Sequence, residues 1–396
     1  MKHSLIFGAM ILLGVACQKA DIPSSSTCTL VSDPAWAQHP RAETYQTIID
    51  QYVALGLPGI SLYIQDEDGE WAGSGGMADI EAGVAFQPCT VSKVASITKM
   101  FVGTLAMLLA EDGVLDLDAP VDPWLPSRVL DKVANVRGAT LRQLLGHTTG
   151  IYDIITDNGF YLAVLNDPDK HWEAIDLIEF AYGKDALFPL GTSCRYSNTN
   201  TLLVSMVIDK VTGRPHHQLL RERILEPLGL EDTYYYSHDV LPPSTAQGYF
   251  DLYNNGTIAN VTNFNTGSGN GYGGMFSTVF DIATFIRALV VDQTILQPAS
   301  LDQMMQFQPH IAPDDPSPDL FLGPGMMKRY FNQPLDSDNF AWGHTGRDLA
   351  YTGNCFYFPA RKTICCFLVN YGTNGKSALR EVFYDFQDAL TDEVVR

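Results

Sequence analysis

The sharpest hydrophobic run in the chain is Met100 to Leu109. Met100, Phe101, Val102, Leu105, Met107, Leu108 and Leu109 leave almost no polar face. The stretch therefore reads as a helix buried on every side, ending near Gly113. Residues 58–75 read instead as a hairpin, with Gly59-Ile60-Ser61-Leu62-Tyr63-Ile64, a turn over Asp66 to Gly69, and Glu70-Trp71-Ala72-Gly73. Further helical patterns cover Leu141 to Leu145, Ala174 to Tyr182 and Thr201 to Val211, with Gly and Pro at the breaks. Residues 242–274, rich in Asn, Gly, Thr and Ser, predict a long loop region. Asp281 to Val291 returns to helix. Strands are predicted at Phe340 to Thr345, Tyr351 to Phe358 and Thr363 to Tyr371, and Ser377 to Leu390 closes the chain as an amphipathic helix. Strands near both ends with helices between them predict an α/β fold of the α+β type. In it an antiparallel sheet from N- and C-terminal segments is flanked by helices and carries an inserted, mostly helical lobe. The expected boundaries are a sheet lobe at about 40–95 and about 290–396 and a helical lobe at about 96–289, all within one domain over residues 36–396.

The N-terminus departs from this pattern. Met1-Lys2-His3 is a short basic region, and Leu5 to Val15 is an apolar run too short to span a bilayer. Gly14-Val15-Ala16-Cys17 follows, which completes the layout of an export signal over residues 1–16. Two readings stand: ordinary cleavage before Cys17, or a bacterial lipoprotein leader with Cys17 as the lipidated residue and a membrane tether. The second is preferred, although Gly14 stands where a leucine is usual. Residues 17–35 then read as a flexible tether, and the protein is expected to be periplasmic or an outer-membrane lipoprotein. The six remaining cysteines allow disulfides in an exported chain. Their spacing leaves the connectivity open, and buried free thiols are an equal reading for Cys355, Cys365 and Cys366.

Composition narrows the partners. A chain of 396 residues with 46% hydrophobic residues has ample material for a core. Its formal charge of −20 argues against nucleic-acid binding, because a phosphate backbone needs a basic surface. No histidine or cysteine spacing fits a zinc site, so neither metal nor cofactor is expected, and the partner is a small-molecule or peptide substrate. Gly269-Asn270-Gly271-Tyr272-Gly273-Gly274 matches G-x-G-x-x-G, but no strand of a βαβ unit precedes it. It is better read as a glycine-rich loop near a binding cleft. Oligomeric state stays open.

The chemistry begins at Ser96-Ile97-Thr98-Lys99. Three residues apart on a helix, Lys99 reaches the Ser96 hydroxyl. A lysine in the first turn of a buried helix is desolvated toward the neutral amine, which is the base a serine nucleophile needs. Two further motifs stand far along the chain: Tyr196-Ser197-Asn198 before the Thr201 helix, and Gly343-His344-Thr345-Gly346 on a predicted strand.

Taken in this order, the three motifs resemble those of the serine β-lactamase and DD-peptidase superfamily. The resemblance is to the branch of class C β-lactamases, D-alanyl-D-alanine carboxypeptidases and related esterases. Leu115-Asp116-Leu117-Asp118-Ala119-Pro120-Val121, Leu144 to Gly150, Glu226-Pro227-Leu228-Gly229-Leu230 and Gly273 to Asp281 add to it. The resemblance implies that Ser96 forms an acyl-enzyme, with Tyr196 and Lys99 together as base and then acid. A cationic contribution to Tyr196 is expected from Lys99 and more weakly from His344, the fourth catalytic candidate; the other reading of His344 is a residue of the site wall with little proton role. Asn198 is expected to bind the substrate amide and Lys99. The oxyanion hole is expected from the N–H groups of Ser96 and Arg347, with Thr345, Gly346 and Arg347 at the substrate. The Arg347 guanidinium either anchors a substrate carboxylate or points to solvent. His147, inside the Leu144 to Gly150 motif, reads as structural. The implied activity is hydrolysis of D-Ala-D-Ala-type peptides or β-lactams. The alternatives are a carboxylesterase on the same site, or a penicillin-binding sensor that acylates without turnover.

Overall fold

The computed structural model describes residues 22–30, 33–311, 319–331 and 333–396. The expected signal over 1–16 and Cys17 lie outside these residues. Its frame is a nine-stranded sheet, antiparallel at every pairing of neighbouring strands. Numbered in chain order, the strands are β1 Gly59–Asp66, β2 Gly69–Asp79, β3 Val84–Ala85, β4 Gln308–Pro309, β5 Leu320–Gly323, β6 Met326–Arg329, β7 Ala341–Arg347, β8 Thr352–Phe358 and β9 Thr363–Val369. Their spatial order is β3-β2-β1-β9-β8-β7-β6-β5-β4, so the N-terminal hairpin pairs directly with the last strand. This is the predicted α+β architecture. The sequence pattern placed the hairpin and β7 to β9 within a few residues.

Two hydrophobic layers cover the sheet. One face carries Ala42–Ala54 and the closing helix Ala378–Val395, which bury Tyr45, Ile49, Phe383, Phe386 and Leu390. The other face packs on the helices Thr98–Glu111 and Val279–Ile286, where Phe101 stacks on Phe285 with ring centroids 3.7 Å apart. The helix Thr98–Glu111 is buried along nearly its whole length, as its apolar run predicted. Beyond it lie shorter helices and Asn198–Thr212.

Three expectations need amending. The flexible tether over 17–35 is not what residues 22–30 form. Ser25 N–H donates to Asp79 at 2.9 Å, Ser26 N–H donates to the Pro243 carbonyl at 2.7 Å, and Cys28 is bonded to Cys89. These contacts dock the segment on the body of the protein. The other cysteines among the described residues, Cys194, Cys355, Cys365 and Cys366, are free and buried. The loop region over 242–274 contains one short pairing, Tyr249–Phe250 with Ala259–Asn260. Finally, the helix Ala42–Ala54 and strands β5 and β6 had no prediction. Among the described residues no helix is long and apolar enough to cross a membrane.

Candidate active site

The serine arrives on a tense turn. Ala95 holds a positive φ of 48°, a conformation sparsely used by residues with a side chain, and Ala95–Ile97 is a single 3-10 turn leading into Thr98–Glu111. The turn is tied down from both sides. Thr98 Oγ1 donates to the Ala95 carbonyl at 2.6 Å and accepts from Met275 N–H, while Val94 N–H donates to the Met275 carbonyl at 2.9 Å.

Lys99, one turn on, is 1% exposed. Its Nζ lies 3.0 Å from Ser96 Oγ, 2.8 Å from Asn198 Oδ1 and 2.6 Å from the Tyr272 carbonyl. Burial pushes its pKa down to about 7 against the opposing pull of Asp153 and Asp348. A neutral amine beside a serine hydroxyl is therefore available near neutral pH.

Asn198 opens the helix Asn198–Thr212 and faces two ways. Its Oδ1 accepts from Lys99, and its Nδ2 donates to Asp153 Oδ2 at 3.0 Å. The Asn198 backbone N–H donates to Asp153 Oδ1 at 3.1 Å. Asp153 was not singled out in the sequence. Burial raises its carboxyl to about 6, with the Asn198 contacts and Lys99 working the other way. Its signal was available only as the residue three past the Leu144 to Gly150 motif.

Tyr196 lies within the same cluster, its ring 4.9 Å from Lys99 Nζ and stacked on His147 at 4.6 Å. Its buried hydroxyl makes no hydrogen bond of regular geometry. Burial raises its pKa above the ordinary phenol value, while the adjacent Ser96 hydroxyl and Arg347 ease ionisation. His147 is buried, held neutral by burial and by Lys99, and accepts Ser197 N–H at 3.3 Å on Nδ1. It therefore orients the tyrosine motif, in line with its structural reading.

His344 stands between its two readings. It lies on β7 at the site, and its Nδ1 is 2.7 Å from the Thr345 carbonyl, a contact that assigns the proton to Nδ1. Burial first, and Lys99 second, lower its pKa to about 3. A neutral imidazole supplies no cationic field to Tyr196, which suits the wall reading of this residue better than the proton-transfer one.

The strand beyond His344 shapes the cleft. Thr345 lines the wider part, and its buried hydroxyl has no partner among the described residues. Gly346 packs on the nucleophile turn so closely that an added Cβ would meet the Val94 carbonyl oxygen at 2.1 Å. Asp348 N–H donates to the Tyr351 carbonyl at 2.8 Å. By the alternation of an antiparallel ladder, Arg347 N–H then turns to the other edge, which extends past the Met327–Gly343 pairing with β6. Arg347 is half-buried, with its guanidinium over the Tyr384 ring at 5.3 Å.

Ser96 and Arg347 line both parts of the cleft. The first, of about 30 Å³, is bounded by Phe160, Tyr161, Tyr272 and Asp348. The second, of about 210 Å³, is bounded by Tyr196, His310, Met327 and Arg329. Among the described residues no three or more His, Cys, Asp or Glu side chains are grouped as a metal site would need.

Comparison with known proteins identifies the family and the fold. The family model described as Beta-lactamase matches residues 45–389. "Penicillin-binding protein 4*" of Bacillus subtilis is 29% identical over 154 residues, 38% of this chain and 32% of that protein. The chain thus spans well under two thirds of that longer relative. A D-stereospecific amidohydrolase from Streptomyces sp. superposes with a TM-score of 0.73 at 29% identity, covering 86% of this chain and 97% of that one. D-amino acid amidase from Ochrobactrum anthropi SV3, complexed with L-phenylalanine amide, gives a TM-score of 0.75 at 25% identity over 89% and 98%. With most of its length matched and the serine, tyrosine and histidine motifs gathered in one cleft, the chain belongs to the Beta-lactamase family.

Proposed function

We propose that this protein is a serine hydrolase that works through an acyl-enzyme on Ser96. Its substrates are acyl donors built on D-amino acids, namely D-Ala-D-Ala-type peptides and amides of D-amino acids, with β-lactams as a further acylating class. The observation that carries the reading is the desolvated Lys99 amine, 3.0 Å from Ser96 Oγ with a pKa near 7. The likeness to the D-stereospecific amidohydrolase and the D-amino acid amidase supports the substrate class.

In the first step neutral Lys99 takes the Ser96 proton as Oγ attacks the carbonyl carbon. The negative charge that develops on the carbonyl oxygen is met by the backbone N–H groups of Ser96 and Arg347. Collapse expels the amine, which takes a proton from Lys99 through the Tyr196 hydroxyl. Burial holds that phenol neutral, so Tyr196 passes a proton rather than standing as a phenolate. Asn198 keeps Lys99 aimed and offers its amide to the substrate. Water then resolves the ester by the same groups in reverse.

The test exposes the protein to benzylpenicillin, a D-Ala-D-Ala peptide, a D-phenylalanine amide and a p-nitrophenyl ester. Intact mass reports adducts and product release reports turnover. Turnover of the D-configured peptide or amide, lost in Ser96→Ala, is expected. Ester turnover alone would favour the esterase, and a stable adduct without turnover would favour a sensor. Export to an oxidising compartment is part of the proposal, supported by the leader and by the Cys28–Cys89 disulfide.

A further inference from the structure

We propose that Lys93 and Asp348 form a buried clamp that sets the spacing of the two amides receiving the oxyanion, which makes both of them positioning residues. The inference rests on the serine-hydrolase reading above and concerns groups that it leaves without a role. Lys93 lies three residues before Ser96, and Asp348 directly follows Arg347. Although 255 residues separate them in sequence, their side chains form an ion pair, with side-chain exposures of only 7% and 11%.

The pair is the centre of a small network. Thr266 Oγ1 donates to Asp348 Oδ1 at 2.7 Å, and Leu349 N–H donates to the same oxygen at 2.7 Å. Lys93 Nζ also reaches Thr266 Oγ1 at 3.5 Å. The Tyr272 hydroxyl donates to the Thr266 carbonyl at 2.7 Å, and the Tyr272 carbonyl is the acceptor of Lys99. Three segments therefore meet at one charge pair: the nucleophile turn, the strand end carrying Arg347, and the glycine-rich loop that holds the base.

A buried ion pair is a poor device for stability alone, since its desolvation roughly cancels the attraction and apolar side chains fill such a space as well. It does fix a distance. Arg347 stands between two such fixed points, the contact of Gly346 on Val94 before it and the Lys93 pair after it. Two N–H donors that must converge on a single oxygen need that kind of constraint, because donor placement decides how much charge they stabilise.

The single variants Lys93→Met and Asp348→Asn leave an unpaired charge in the interior and will lose stability along with rate. The test therefore uses the double variant Lys93→Met/Asp348→Asn, which nearly keeps volume and removes both charges. Fold is followed by circular dichroism and thermal melting, and kcat and KM are measured on whichever ester or amide the parent turns over. Affinities are measured for a boronic acid, which forms a tetrahedral adduct on Ser96, and for the product carboxylic acid. The expected result is a folded protein with kcat lowered by about tenfold to about a hundredfold. KM is expected to stay within about twofold of the parent. Boronate affinity should fall with kcat, and product affinity should hold. A folded double variant with parental kcat and boronate affinity overturns the clamp, as does an equal loss of product and boronate affinity. Should the double variant not fold, Thr266→Val decides. A severalfold fall in kcat at constant KM supports the clamp, and an unchanged kcat overturns it. If the parent neither turns over a substrate nor takes an adduct on Ser96, the hydrolase reading itself has failed, which is a separate result.

Discussion

At the scale of single residues, the site is governed by how burial moves protons. Lys99 must be neutral to take the Ser96 proton, and its pKa is brought to about 7. The rate of acylation is therefore expected to rise with pH through an apparent pKa near 7, read from the pH profile of kcat/KM. Asp153 pulls that value upward through its charge. Asp153→Asn should consequently move the rising limb to lower pH, while an unmoved limb would separate Asp153 from the base. Lys99→Met should lower kcat by about a hundredfold or more, the usual contribution of a positioned base. These residues differ in how far they could be read in advance. Ser96, Lys99, Tyr196, Asn198 and His344 sit in short spaced motifs; Ser96, Tyr196 and Asn198 line the cleft, with Lys99 and His344 packed behind them. Asp153 could not be told from the chain's other acidic residues, because its importance lies in a contact with Asn198 on another element. The Tyr272 carbonyl carries no side-chain signature at all. Which of the two readings of His344 applies depends on its burial, and burial cannot be seen in a three-residue motif.

Whole elements show the same division. The all-apolar face of Thr98–Glu111 and the dense strand runs of β7 to β9 predicted themselves, since their burial patterns are continuous. The helix Ala42–Ala54 buries only Tyr45, Ile49 and Tyr52 among polar neighbours, and β5 and β6 have four residues each. Such sparse or short patterns fall below what periodicity can resolve. Packing between elements yields two predictions. Phe101→Ala removes the ring stacked on Phe285 and should cost about 3–5 kcal/mol in urea unfolding. Gly346→Ala forces a methyl onto the Val94 carbonyl, which is backbone and cannot swing aside. It should cost about 1–3 kcal/mol by the same measurement, and kcat should fall because β7 is driven off the nucleophile turn.

Across the whole molecule, contacts distant in sequence decide the assembly. The sheet closes when the N-terminal hairpin finds the last strand, an arrangement the element order predicted. The Cys28–Cys89 bond was invisible in the spacing, because connectivity is a property of the folded chain. It joins residues 61 apart and pins the N-terminal segment to the body of the protein. Replacing both cysteines by serine should lower stability by about 3–4 kcal/mol through the freed loop, as read from urea unfolding. A much smaller loss would mean that the contacts of Ser25 and Ser26 hold the segment alone.

The depressed pKa of Lys99 also has a thermodynamic side. An unfolded chain would hold that proton up to about pH 10.4, whereas the folded one releases it near 7. Between these values the unfolded state binds more protons, so folding stability contributed by this group rises with pH across that window. Below about 7 both states are protonated, and the full penalty of a buried ammonium is present. A Lys99→Met protein should thus be catalytically crippled yet melt at a higher temperature at neutral pH, with a weaker dependence on pH above 7. The base that enables catalysis is in this sense a standing weakness of the fold, tolerated because the chemistry requires it.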